Sequence, residues 1–161
     1  MKKQQISKTN AMRILDQNNI EYEYAEYEYD ESDLSGEHVA EFLGIPGDQI
    51  FKTLVTRGGD GGIYVFVLPV DSELDLKKAA AAAGQKRVEM IHVKEIEGLT
   101  GYIRGGCSPI GMKKQYPTYV DEMATLCDKI YFSGGKRGMQ IIMAPDDLIN
   151  LIGAEYADIT A

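Results

Sequence analysis

Metal-ligating and redox-active side chains are scarce in this chain of 161 residues, which has two cysteines, two histidines and no tryptophan. Cys107 and Cys127 lie in different segments, without CxxC spacing and without a nearby histidine. His38 and His92 are equally isolated. These spacings match neither a disulfide framework nor a zinc site, so we expect no metal and no other cofactor.

Long apolar runs are also missing from the sequence. No segment approaches the roughly 20 apolar residues that cross a bilayer as a helix. The first stretch, MKKQQISKTNAMRILD, has lysines but not the apolar core of a secretory signal. We therefore expect a cytoplasmic protein with no membrane contact. The length suits a single domain over residues 1–161.

Positive charge is in deficit, with 17 Lys and Arg against 25 Asp and Glu and a net charge of −8. Proteins that bind long nucleic acids are usually basic, because neutralised phosphates supply much of the affinity. The balance argues against DNA as a partner but leaves room for a small local contact with RNA. Acidic residues concentrate in residues 21–33, and basic residues form short clusters at Lys77-Lys78, Lys86-Arg87, Arg104, Lys113-Lys114 and Lys136-Arg137.

The spacing of apolar residues predicts the order of helices and strands. Helical spacing predicts helices over 9–18, 35–44, 75–84 and 145–153, with a helical turn over 93–99. Alternation and apolar runs predict strands over 20–29, 50–57, 63–70, 88–93, 129–135 and 139–145. The segments RGGDGG and GGKRG are typical hairpin turns. Hairpins with interspersed helices indicate an α+β domain around a mostly antiparallel, barrel-like sheet.

Lys52 is the first candidate functional residue. In the predicted strand IFKTLVTR, alternation places it on the same face as Leu54, while Thr53 faces the other way. A lysine among apolar residues is costly to bury unless it meets an anion or its pKa falls. The alternative is an ordinary lysine that faces solvent or lies on an edge strand.

The segment GYIRGGCSPIGMKK, residues 101–114, is the second candidate. Its glycines and Ser-Pro pair leave main-chain N–H groups free in a turn, which can bind an anion or a carbonyl oxygen. It lacks the spacings of a P-loop and of a dinucleotide site, so a purely structural turn is the alternative. Cys107 within it has no histidine base to activate it, and we expect no protein nucleophile there.

A third candidate is SGGKRG, residues 133–138. A lysine and an arginine flanked by glycines can bind phosphate, although an ordinary solvated turn has the same composition. The tyrosines at 22, 24, 27 and 29 read mostly as strand packing, and spacing does not decide which of them lines a pocket.

Six segments together resemble the YbaK/EbsC family of bacterial aminoacyl-tRNA deacylases. They are FKTLV, LKKAAAAAG, KRVEM, GYIRGGCSPIGMKK, YFSGGKRG and APDDLINLIGAEYADI, and they cover nearly the whole chain in order. The family is related to the editing domain inserted in bacterial prolyl-tRNA synthetases. The resemblance implies a mixed, mostly antiparallel barrel-like sheet with surrounding helices. It also implies a trans-editing enzyme that removes cysteine from mischarged Cys-tRNA(Pro), with Cys-tRNA(Cys) as a second substrate to test.

The resemblance also assigns roles to residues of this chain. Lys52 and Thr53 match the catalytic positions, and the substrate-binding positions are Tyr27, Gly105, Gly106, Ser108, Pro109, Gly111, Ser133, Gly134, Lys136 and Arg137. In the mechanism that it implies, the substrate's own thiol attacks the ester, without a protein nucleophile, metal or cofactor. The expected partners are the 3′ CCA end of a mischarged tRNA and prolyl-tRNA synthetase.

Two alternatives to this activity stay open on the sequence. One is water-mediated hydrolysis of another small aminoacyl-tRNA ester. The other is a non-catalytic module that binds the tRNA 3′ end or a synthetase.

Overall fold

The computed structural model describes residues 7–161, which form an α+β fold. Its α-helices are α1 (Asn10–Gln17), α2 (Gly36–Leu43), α3 (Leu76–Ala82), α4 (Ile96–Thr100) and α5 (Pro145–Ile152). Its strands are β1 (Glu23–Glu26), β2 (Phe51–Gly58), β3 (Ile63–Pro69), β4 (Val88–Met90), β5 (Thr118–Asp121), β6 (Ile130–Ser133), β7 (Met139–Met143) and β8 (Glu155–Ala157). Two 3₁₀ turns cover Val93–Glu95 and Glu122–Leu126.

The predicted helices are confirmed, and their ends have local causes. The hydroxyl of Thr9 accepts a hydrogen bond from the Met12 N–H and caps α1, and Ser35 caps α2 in the same way through the His38 N–H. Gly44 and Gly153 end α2 and α5 in the left-handed region, at φ of 68° and 65°.

The strands form two sheets, in the orders β1-β7-β6 and β4-β2-β3-β5-β8. The predicted hairpins β2–β3 and β6–β7 are antiparallel, as are β1–β7 and β2–β4, whereas β3–β5 and β5–β8 are parallel. An isolated bridge between Ile50 and Tyr131 joins the two sheets. A mixed, mostly antiparallel arrangement is therefore confirmed, but the sheets of the described residues are not closed into a barrel, and that part of the expectation remains unconfirmed.

Most of the core lies between the smaller sheet, α1 and α5. Its fully buried members include Met12 and Leu15 of α1, Phe132 and Ile141 of the sheet, and Leu148 of α5. A second cluster packs α3 onto the larger sheet. Within residues 7–161, no helix is long and apolar enough to cross a membrane.

Candidate functional site

A cavity of about 400 Å³ lies at the junction of the two sheets, and we call it the central pocket. One wall is β2 with the residues that precede it, another is the start of α2 with Leu34 and Ser35, and a third carries Ser133 and Gln140 of the smaller sheet. Arg104, Gly105 and Cys107 complete it from the glycine loop. This volume is typical of a small-molecule site.

The pocket follows the edge of β2 rather than one of its faces. Residues 50–55 line it in unbroken succession, although consecutive side chains of a strand point to opposite faces. β3 pairs with one edge of β2, whereas β4 pairs with the other edge only at Thr56–Gly58. The Ile50 carbonyl accepts from the Val70 N–H on the β3 side at 2.8 Å, and the Val55 carbonyl accepts from the Ile91 N–H on the other side at 3.3 Å.

Main-chain N–H and C=O groups alternate in direction along β2, and those of Thr53 point into the pocket. Residues two apart in a strand point their N–H and C=O groups the same way, so Thr53 shares the direction of Val55. β4 pairs with no residue before Thr56, which leaves the edge of β2 open at Thr53. An open strand edge offers a donor and an acceptor to a ligand.

Two buried side-chain oxygens, each on a residue that lines this pocket, have no hydrogen-bond partner among the described residues. They are Oγ1 of Thr53 and Oε1 of Gln140, and the whole Gln140 residue is 5% exposed. Gln140 pairs across the strands with Ser133 on β6 and Ala25 on β1. A buried oxygen without a partner costs about 1–3 kcal/mol, which a polar ligand group would recover.

Lys52 lies in the wall of the pocket and is half-buried. None of the ion pairs found between residues 7 and 161 includes it. Arg104 is a second cation in the wall, and Glu37 at the first turn of α2 is an acidic group there. The site therefore suits a ligand with polar or anionic atoms at one end and an apolar body.

The structure brings only part of the glycine loop to the pocket. Of the positions matched in the sequence, Gly105 lines it, and Gly106, Ser108, Pro109 and Gly111 do not. Ser108 is fully buried, and its hydroxyl accepts a hydrogen bond from the Ile110 N–H within the turn. Gly111 has φ of 82°, and a Cβ there would lie 2.8 Å from the Tyr102 hydroxyl. Ser108 and Gly111 therefore take part in the packing of the loop, away from the pocket wall.

Gly106 allows the two glycine-rich loops to touch. A Cβ on it would lie 3.1 Å from Cα of Lys136 and 3.2 Å from the main-chain nitrogen of Arg137. The residues of the second loop have different surroundings. Ser133 lines the central pocket. Gly134 closes the β6–β7 hairpin through a 2.8 Å hydrogen bond from its N–H to the Met139 carbonyl.

Burial raises the pKa of the Cys107 thiol from 9 to about 11, although a hydrogen bond with Thr100 works in the opposite direction. The thiol is therefore protonated at neutral pH, whereas a nucleophilic cysteine reacts as the thiolate. Cys107 lies in the pocket wall without the chemistry of a nucleophile.

A second depression of about 630 Å³ adjoins the central pocket, and we call it the aromatic groove. Lys136 and Arg137 line it, not the central pocket, and Tyr27 lines both cavities. The remaining walls are Ser7, Tyr24, Glu26, Glu28, Tyr29, Phe42, Gly138 and Met139. Of the four early tyrosines, Tyr27 is thus the one at the central pocket, where the resemblance placed it.

The sequence and the fold match those of a known family. The sequence profile of the aminoacyl-tRNA editing domain matches residues 32–151, so the chain belongs to that family. The matched region contains Lys52, both glycine-rich loops and Gln140.

Three known proteins are similar to this chain in sequence or structure. It is 54% identical over 159 residues to EbsC of Enterococcus faecalis, named as a candidate Cys-tRNA(Pro)/Cys-tRNA(Cys) deacylase, and the match covers 99% of this chain and 97% of EbsC. The proline–tRNA ligase of Thermosipho africanus is 38% identical over 78 residues, which are 48% of this chain and 14% of the ligase. A crystal structure described as a candidate trans-editing enzyme for prolyl-tRNA synthetase superposes with a TM-score of 0.78 at 26% identity, covering 96% of this chain and 99% of that one.

Gln140 is a polar pocket residue that the sequence analysis does not single out. It lies in MQIIMAP, which the alternation and apolar run predict only as a strand. A single polar residue at a buried strand position was the available signal, because such a group is normally hydrogen-bonded.

Proposed function

We propose that this protein is a trans-editing aminoacyl-tRNA deacylase that removes cysteine from mischarged Cys-tRNA(Pro) and acts on the ester in the central pocket. The observation that carries the proposal is the open edge of β2 in a cavity whose wall holds Lys52 and two residues with buried, unpartnered oxygens. Family membership and the similarity to EbsC support the same activity.

In this proposal, different pocket residues bind different groups of the substrate. The main-chain N–H of Thr53 and the N–H groups around Gly105 hold the ester carbonyl, where charge develops during the reaction. Thr53 Oγ1 and Gln140 Oε1 accept hydrogen bonds from the α-ammonium group. Lys52 binds the phosphate or another polar group of the terminal adenosine as a point charge.

The substrate supplies the nucleophile. The cysteine sulfur attacks its own ester carbonyl, a carbon–sulfur bond forms, and the carbon–oxygen bond to the ribose breaks. The proton of the thiol ends on the ribose hydroxyl that leaves, and the product is a cyclic thiolactone. The protein contributes positioning and charge stabilisation. The raised pKa of Cys107 agrees with a site that provides no thiolate of its own.

Binding of only the tRNA 3′ end is compatible with a net charge of −8. Few phosphates are then neutralised, and affinity for tRNA is modest. We propose that prolyl-tRNA synthetase acts as the partner that supplies tRNA identity, which the ligase and trans-editing relatives suggest. We place the activity in the cytoplasm and in one domain over residues 1–161.

A panel of mischarged tRNAs tests the proposal. We expect turnover of Cys-tRNA(Pro), slower or no turnover of Ala-tRNA(Pro), and none of Pro-tRNA(Pro), because only cysteine carries the attacking thiol. Replacing the thiol with the hydroxyl of serine should lower turnover strongly. Equal rates on cysteinyl and alanyl esters would instead establish water-mediated hydrolysis, and binding without turnover of any ester would establish a non-catalytic module.

A further inference from the structure

The aromatic groove has a composition that the ester chemistry does not use. Tyr24, Tyr29 and Phe42 line it with 44%, 48% and 50% of their surfaces exposed, although aromatic rings of this size are usually covered. Two of the three lie far apart in sequence, on β1 and on α2, so no single amphipathic element accounts for their meeting.

The groove and the central pocket share a wall residue. Tyr27 forms part of both walls. Arg137 of the groove donates from Nε to the carbonyl of Arg104, which lines the central pocket, at 2.9 Å. A molecule that occupies both cavities therefore passes a junction built from the two glycine-rich loops.

Charges in the groove nearly cancel. Lys136 and Arg137 are opposed by Glu26 and Glu28, all four in its walls. Attraction of a phosphate backbone alone is then weak, and exposed rings become the main source of affinity. Bases of unpaired nucleic acid stack on aromatic rings regardless of sequence.

We infer that the aromatic groove binds the unpaired nucleotides that precede the terminal adenosine of the tRNA, with their bases stacked on Phe42 and Tyr29. The inference rests on the proposed function, since the esterified adenosine must sit in the central pocket. Tyr29 is held for this contact by the second loop, because Gly138 leaves room for its ring, 3.3 Å from where a Cβ would be.

Two substrates that differ only in length test the inference. One is Cys-tRNA(Pro), and the other is the cysteinyl ester of adenosine, which is too short to reach the groove. Phe42→Ala and Tyr29→Ala should each lower the ratio of kcat/KM for the long substrate to that for the short one by about tenfold. Phe42→Tyr keeps the ring and should restore the ratio. Leu126→Ala, at a residue 77% exposed outside both cavities, is the matched control.

Binding of an uncharged single-stranded RNA that ends in CCA decides the inference without any turnover. Wild-type protein should bind it with a slope of log K against log salt no steeper than about −2.1, as three phosphate contacts from Lys52, Lys136 and Arg137 give, and Phe42→Ala should weaken it about tenfold. Unchanged binding in both alanine variants, or equal loss on both esters, overturns the inference. The inference is also overturned if the alanine variants lose self-association and keep RNA binding, because the groove would then contact a second copy of the chain. If the wild type cleaves neither ester, the proposed function fails. The RNA measurement still decides whether the groove binds unpaired nucleotides.

Discussion

Arg137 donates a hydrogen bond from Nε to the main-chain carbonyl of Arg104 at 2.9 Å, which joins the loop after β6 to the loop after α4. The two loops can approach this closely because Gly106, which lies against the main chain of Lys136 and Arg137, has no side chain. The two glycine-rich loops are therefore one packed unit, and Gly106 serves the packing between them.

Gly106→Ala should separate the two loops. The new methyl group would lie 3.1–3.2 Å from main-chain atoms of Lys136 and Arg137, and a backbone cannot move aside as a flexible side chain can. We expect a loss of about 1–3 kcal/mol in the free energy of unfolding, together with reduced deacylation. Gly98→Ala is the matched control, since a Cβ there meets nothing within 4 Å. Urea denaturation of both variants checks the prediction, and equal stability would contradict it.

Lys52→Ala should abolish measurable deacylation of Cys-tRNA(Pro). The lysine has no ion-pair partner among the described residues, and its removal leaves Arg104 as the remaining Lys or Arg side chain in the pocket wall. We expect kcat/KM to fall about 100-fold, the scale of a lost charged contact to the substrate. Lys77→Ala, an exposed lysine on α3, should retain activity. Thermal unfolding separates a loss of chemistry from a loss of fold, and full activity of Lys52→Ala would exclude the assigned role.

The helices and hairpins could be predicted from the sequence, whereas the short parallel strands could not. Helices such as 145–153 and the hairpin of residues 50–70 follow from repeated apolar spacing and glycine turns, which act locally. β5 and β8 have four and three residues, and their parallel pairing joins distant segments. Such short runs carry too little periodicity to be identified. The predicted strand over 20–29 is shorter in the structure and covers Glu23–Glu26, with one further hydrogen bond from the Tyr27 N–H to the Gly138 carbonyl.

Part of the candidate site was predictable from the sequence. Lys52, Thr53 and Gly105 reach the pocket as the resemblance suggested, whereas Ser108 and Pro109 turn into the interior. The open edge of β2 depends on where β4 stops, and Gln140 depends on how two sheets meet. Both are tertiary facts that no local pattern contains.

Cys107→Ala should keep most of the activity. Burial raises the pKa of this thiol to about 11, so the wild type holds almost no thiolate at pH 7. For the same reason, iodoacetamide should alkylate Cys107 more slowly than the less buried Cys127. Mass spectrometry of the labelled sites measures this difference. A variant that is folded but inactive would refute catalysis by the substrate's thiol.

Gln140→Leu should separate stability from activity. The variant removes a buried oxygen that lacks a partner and keeps a side chain of similar volume. We expect the free energy of unfolding to rise by about 1 kcal/mol, while KM for Cys-tRNA(Pro) rises and kcat changes less, because the α-ammonium group loses an acceptor. Ile142→Leu, on the same face of β7, is the conservative control. Lower stability together with unchanged KM would contradict a ligand-binding role for the amide.

Alkaline pH should destabilise the fold through two neighbouring buried groups. Burial raises the pKa of Cys107 from 9 to about 11 and that of Tyr102 from 10 to about 12. A group whose pKa is higher in the folded state contributes fully below its unfolded pKa and loses that contribution as pH rises to the folded value. For Cys107 the loss falls between pH 9 and 11 and amounts to about 2 kcal/mol by pH 11. Denaturant titrations at pH 8, 9.5 and 11 should show a steep decline in the wild type and a shallower one in Cys107→Ala, in which the Tyr102 share remains. Parallel declines in the two proteins would show that the Cys107 thiol titrates as it does in the unfolded chain.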